Sequence, residues 1–368
     1  MATGLVGQRI RALREERGLS QERLAEMFGL NDRQTVSAME NGTRRITADE
    51  PVLAVEKLDM LLEYFTDPFL LAGEGRFSWR QSGVDMEELQ TCERSTGRWI
   101  AAYRTLAPRV GRELPLMRRA LGLDCRSSFE EAMRAGERFA VEFDMGEVPA
   151  ARLGDVMECK LNILVLMVET HRGISGAACR LPELDAVLIA RHEVEGCRHL
   201  DLTHELFHLL TWDAMPPEHR EEARETGGSR VEQLANNFAG ALLMPADTLT
   251  RPGGWSALGR EELIVRLNAT ARELRVTASA LKRRLVALRA LPLTMARAVP
   301  EAALRHNGCD AAGQAPPALF SQPFVEVIGL AMEAGLVSMR RAAALLDLNV
   351  EDLRDLFAAH DVAQPAEL

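Results

Sequence analysis

Leu200-Asp201-Leu202-Thr203-His204-Glu205-Leu206-Phe207-His208-Leu209-Leu210 sets two histidines four residues apart in a mostly apolar, helix-favouring run. On a helix such residues share a face, so His204 and His208 can hold one cation between them. Glu205 stands beside the first histidine, where a carboxylate can handle the proton of an activated water. The same letters can also mark a solvated polar face. Here Leu206 and Phe207 fill the gap, and Leu200, Leu202, Leu209 and Leu210 surround it. That is a buried helix, and polar side chains on a buried helix need partners. A metal supplies one.

Two imidazoles do not complete a catalytic site, which takes three protein ligands plus a water. The next candidate lies in Val231–Pro245, a helical pattern with Leu234, Phe238, Ala241 and Leu242 on its apolar face. Glu232 is in its first turn and Asn236 one turn on, on the same side. Glu232 would complete the ligand set, and the Asn236 carbonyl would accept the outer N–H of a ligating histidine. Glu232 alone also suits a helix N-terminus, where negative charge is favoured.

H-E-L-F-H followed by E-x-x-A-N-x-F-A-x-x-L-L-M-P resembles the ImmA/IrrE metallopeptidase family over roughly residues 127–290. Ile174-Ser175-Gly176-Ala177 and the apolar strand Val187–Ala190 keep its order. The resemblance implies a zincin-like fold, with His204, His208 and Glu232 as metal ligands and Glu205 as general base. The mixed nitrogen and oxygen ligands suit zinc, with manganese able to substitute. The sequence departs from the family at Asp201, where threonine is common, and that change leaves the ligands untouched. The only tyrosines, Tyr64 and Tyr103, precede this region. Stabilisation of an oxyanion therefore falls to His192, Arg198, His199 or the metal itself.

The N-terminus has its own signature. Ile10 and Leu13 recur at helical spacing in residues 6–17, which close at Gly18. Ser20 suits the N-cap of Gln21–Phe28, whose Leu24, Ala25 and Phe28 point inward. Gly29 turns the chain, Asn31 is placed to cap Asp32–Asn41, and Gly42 ends that helix. Two short helices across a glycine turn form a helix-turn-helix layout. The string from Ile10 to Gly42 resembles an Xre/Cro-type repressor domain, over residues 5–66.

That resemblance makes Asp32–Glu40 the recognition helix, with Arg33, Gln34, Thr35 and Ser37 toward the major groove. Arginine and glutamine suit base edges through paired hydrogen bonds. Gln21 would meet phosphate at a helix N-terminus, and Arg44 and Arg45 would reach the DNA backbone. A bundle used only for protein contacts is the competing reading. Net charge is −10 overall, yet residues 1–48 hold eight arginines against six acids. DNA affinity is then local to this domain and tied to a specific double-stranded operator, read by a homodimer across two half-sites.

Low aromatic content with abundant Leu and Ala indicates a mainly α protein with a small β component, an α+β arrangement. The pattern divides into a helix-turn-helix domain at 1–66, a helical linker at 67–126 with helices at 84–107 and 109–122, a metallopeptidase-like domain at 127–291 and a helical region at 318–368. Ser127-Ser128-Phe129-Glu130 marks a helix start, and Ser338 and Asn349 sit at plausible N-caps. Lys282-Arg283-Arg284 reads as a solvated charged face. His306 and Cys309 lack a second ligand pair for a structural zinc. The six cysteines form no C-x-x-C pair, which fits reduced thiols in the cytoplasm. The first helix begins too early for a signal peptide, and Ile163–Val168 is too short to span a membrane.

Two functions of different class follow. One is a transcriptional regulator that cleaves a repressor-type protein, or itself, in a stress or prophage response. The other is a non-enzymatic regulator whose metallopeptidase-like domain senses a small molecule or damage signal. A coordinatively closed metal favours the second and an open position the first.

Overall fold

A computed structural model describes residues 2–112, 118–222, 228–250, 254–309 and 315–364. Along the chain run α1 (Ala2–Glu16), α2 (Gln21–Phe28), α3 (Arg33–Glu40), α4 (Asp49–Leu58), α5 (Leu62–Thr66), β1 (Arg76–Gln81), α6 (Met86–Leu106), α7 (Phe129–Glu142) and α8 (Leu153–Cys159). There follow β2 (Ile163–Val168), β3 (Ile174–Arg180), β4 (Asp185–Ala190), α9 (Glu195–Thr211), β5 (Arg220–Glu222), α10 (Arg230–Leu243), α11 (Ala246–Thr250), α12 (Arg260–Glu273), α13 (Ala278–Ala287) and α14 (Leu293–Ala298). The chain ends in α15 (Gln322–Glu333), α16 (Met339–Leu345) and α17 (Val350–Ala359). It is mainly α with one small mixed sheet, as composition implies.

The chain divides into two compact units. The first comprises Met1–Arg76, Met86–Glu113 and Glu326–Leu368. Its N-terminal core is Ile10, Leu13, Leu24, Phe28, Val36, Met39, Leu58 and Phe65. The Ser20 hydroxyl accepts from Arg23 N, and Gly29 takes the left-handed conformation that closes α2. The cap of α3 is Asp32 rather than Asn31: its carboxylate accepts from Thr35 N at 2.7 Å. Gly7 is required where α1 crosses α3, since a Cβ there would lie 2.1 Å from Met39 O. Beneath α3, Arg14 donates to both carboxylate oxygens of buried Glu40, at 2.6 and 3.0 Å. In the C-terminal part, Ser338 caps α16 and Asn349 caps α17.

The second unit comprises Phe77–Asp85 and Leu114–Val325. Its sheet has the order β2-β4-β3-β1-β5. β2 and β4 are parallel, β3 runs antiparallel to β4, and β1 pairs β5 in parallel. β4 is buried along its whole length, as the apolar run Ala186–Ala190 requires. α7 and α10 pack backbone to backbone, because a Cβ on Gly136 would meet Phe238 O at 2.4 Å. Phe238 in turn holds Phe207 of α9, ring centroids 5.5 Å apart. Thus α10 is fixed against α9, the helix carrying the histidine pair.

Three expectations need correction. The segment 67–126 is not purely helical: β1 lies inside it, with Phe77 and Trp79 buried and stacked at 5.7 Å. No helix fills 109–122 among the described residues, because the short turn at Ala107–Val110 ends at Gly111, left-handed at φ 72°. The basic run in α13 is not a solvated face either. Lys282 and Arg284 are buried and paired with Glu301 and Glu137, and Arg283 alone of the three is exposed. None of the six cysteines forms a disulfide, and no described helix is long and apolar enough to cross a membrane.

Glu158 of α8 is half-buried, and its desolvation raises its carboxyl to about 7. The native state therefore holds a proton that the unfolded chain releases near its ordinary value of 4.5. Stability from this group is fully present below that value and is lost as pH climbs to the folded one. Glu158→Gln should match the parent at low pH and exceed it by up to about 3 kcal/mol in mildly alkaline buffer. Urea unfolding in the two buffers checks this; equal midpoints for both proteins in alkaline buffer would refute it.

Candidate functional site

The histidine pair emerges from α9 as the four-residue spacing requires. His204 and His208 are buried, with ring centroids 4.8 Å apart. Glu232, in the first turn of α10, reaches both: one oxygen lies 3.2 Å from His204 Nε2 and the other 3.2 Å from His208 Nε2. Asn236 Oδ1 is 3.1 Å from His204 Nδ1. Accepting there, it keeps the proton on Nδ1 and turns the Nε2 lone pair toward Glu232.

Two further residues meet at this point. Glu221 of β5 brings Oε2 to 3.1 Å from His208 Nε2. One ligand atom each from His204, His208, Glu221 and Glu232 lie within 4.8 Å of one another. Arg80 of β1 donates through Nη1 to Glu232 at 3.3 Å and to His204 Nε2 at 3.1 Å, and through Nε to Asp201 at 3.1 Å. Asp201, where the sequence departs from the expected threonine, thus anchors a guanidinium.

The residues suit a divalent cation. His208 Nε2 and Glu232 Oε1 approach closely yet make no hydrogen bond in this cluster. Converging lone pairs of nitrogen and carboxylate oxygen, buried without donors, are what such an ion satisfies. Glu205 is also buried, and its Oε1 has no hydrogen-bond partner. Burial raises its carboxyl to about 8, and burial together with Arg80 lowers His204 to about 4. A cleft of about 520 Å³ opens beside the cluster, lined in part by Arg80, Asp201, Asn236, Phe129, Met133 and Met244.

None of the three oxyanion candidates is in contact with this cluster. His192 pairs with Glu169, His199 Nδ1 lies 2.8 Å from Arg275 O, and Arg198 donates to the carbonyls of Arg191 and Glu193. Arg80 takes the cationic place beside the ligands instead. Sequence reasoning missed it and Glu221 because each comes from a short strand far from the motif. The signals were faint: alternating Phe77 and Trp79 between Gly75 and Gly83, and acids Glu221 and Glu222 just upstream of α10.

In the first unit, α3 presents Arg33 and Gln34 to solvent, and Arg45 is exposed beyond it. Arg33 Nη1 lies 3.4 Å from Glu22 in an exposed pair that a stronger anion can displace. Thr35 is partly held, since its hydroxyl donates to Asp32 at 2.9 Å, and the Ser37 hydroxyl accepts from Asn41 at 3.3 Å. Gln21 donates to Glu40 at 2.9 Å, and Arg44 is bound to buried Glu50. Those two side chains serve the domain's own packing, which leaves Arg33, Gln34 and Arg45 as the most exposed of the predicted DNA contacts.

Comparison with known families agrees with both halves. Residues 10–63 match the helix-turn-helix family and residues 180–286 match the IrrE N-terminal-like domain. The chain therefore joins an Xre-type DNA-binding domain to a metallopeptidase-like domain. No curated protein and no solved structure gives a match.

Proposed function

We propose that this chain is a cytoplasmic transcriptional regulator that binds an operator as a homodimer and hydrolyses a peptide bond in a repressor-type protein, or in itself, under stress or prophage induction. The observation that carries the peptidase reading is the unpartnered Glu205 oxygen beside the buried His204, His208 and Glu232 ligand set. Zinc is the favoured ion for these ligands, with manganese as a substitute. When bound, it supplies the Lewis acidity that polarises the scissile carbonyl and acidifies the attacking water. Glu205 Oε1 accepts the water proton and returns it to the departing amine nitrogen. Asn236 keeps His204 in the ligating tautomer, and Arg80 is positioned to steady negative charge on the carbonyl oxygen.

The test is metal analysis of the purified full chain, then incubation with candidate repressors and with the chain alone. No cleavage under any metal load would remove the peptidase reading. A second reading is a non-enzymatic metal-dependent sensor, which the nearness of Glu221 favours because a fourth protein ligand closes the site.

On DNA, Arg33 and Gln34 are the residues that would read bases. Each alanine substitution should cost about 1–3 kcal/mol at one operator position. Arg45→Ala should instead weaken all sequences alike, because phosphate contacts position without specifying. Binding of the Arg33→Ala/Gln34→Ala protein to an operator library at fixed salt checks this, and unchanged sequence preference would reject α3 as the reading helix.

A further inference from the structure

We infer that Glu221 is a fourth protein ligand, so that the metal centre is closed while this carboxylate is bound. The inference rests on the metal site proposed above and adds the residue that makes it latent.

The geometry treats Glu221 and Glu232 alike. Their carboxylate oxygens lie 3.1 and 3.2 Å from the same His208 Nε2. Both side chains are only 9 % exposed. Two carboxylates buried this close repel one another unless a proton or a cation lies between them. Arg80 does not serve Glu221 in that way, since its hydrogen bonds go to Glu232, Asp201 and His204. A dication shared by all four side chains resolves the repulsion and satisfies the bare Glu232 oxygen and His208 nitrogen.

Glu221 reaches this point by strand pairing. β5 lies at the edge of the sheet, parallel to β1, with Arg80 opposite Glu221. The register is anchored by the buried Trp79, whose N–H donates to His219 O at 2.9 Å. One strand pair therefore delivers both the guanidinium and the extra carboxylate to the α9–α10 ligand set. Four protein ligands fill a tetrahedral site, whereas catalytic sites keep one position for water. Glu205 then has no water to deprotonate until Glu221 departs.

The test uses the full chain loaded with cobalt(II) and read by visible absorption, with millimolar acetohydroxamate as a probe for an open position. The parent should bind one equivalent of cobalt and its spectrum should not respond. Glu221→Ala and the near-isosteric Glu221→Gln should respond, and in chelator competition should hold cobalt at least about 10-fold less tightly. An unchanged far-UV spectrum of Glu221→Gln shows that its site is altered, not unfolded. A parent that responds to the probe as the variants do, or variants that hold cobalt as tightly as the parent, would overturn the assignment of Glu221. A parent that takes up no cobalt, or a His204→Ala protein that takes up one equivalent, would instead overturn the underlying metal site.

Discussion

Glu205→Gln should lower peptide cleavage by about 10²–10⁴-fold while leaving metal content and operator affinity at the parent level. The side chain is buried and its Oε1 has no partner, so the substitution removes a proton carrier without removing a structural contact. Glutamine has nearly the same volume, and its amide cannot accept and release the proton of water. Burial lifts the Glu205 carboxyl toward neutrality, and a neighbouring dication pulls the other way, which together suit a group that cycles its proton near neutral pH. The measurement is cleavage of the partner repressor by parent and variant at equal metal load. Where Glu221 keeps the parent latent, the same comparison is made in the Glu221→Gln background. In cells, a normal regulatory response from Glu205→Gln combined with failure of His204→Ala would mean that the metal is needed and hydrolysis is not. That pair of results would reject the protease and leave the sensor.

The parts of this site that were legible in the sequence are those encoded within one helix. His204 and His208 share a face because of their spacing, and Glu232 and Asn236 do so one turn apart in α10. Three capping residues were legible for the same reason: Ser20, Ser338 and Asn349 act on amides three positions away. Arg80 and Glu221 were not. Each owes its place to a pairing between strands well over a hundred residues apart, which no local period reveals. The burial of Arg284 was hidden likewise, since its partner Glu137 lies in another helix. Gln21 and Arg44 illustrate the reverse case. Their types and positions suit phosphate, but Glu40 and Glu50 inside the same domain engage them first.

Those long-range partners also determine what the loss of one ligand does. His204→Ala should abolish stoichiometric metal and make thermal stability indifferent to chelator. His204 is buried on α9 and directs Nε2 at Glu232 from 3.2 Å, in an orientation held by Asn236. No other imidazole among the described residues approaches this cluster, apart from His208 itself. Without His204 the proposed site loses one of its two nitrogens, and Arg80 is left to compete for Glu232. Asp201, Glu205, Glu221 and Glu232 then share a buried space in which Arg80 is the cation hydrogen-bonded to Asp201 and Glu232. In the parent, free metal at about 100 times the dissociation constant stabilises the folded state by roughly 2.7 kcal/mol, and chelation removes that gain. Elemental analysis with thermal unfolding, each with and without chelator, measures both consequences. Full metal occupancy in His204→Ala, or a parent whose unfolding ignores chelator, would show that the ion is not held by these residues.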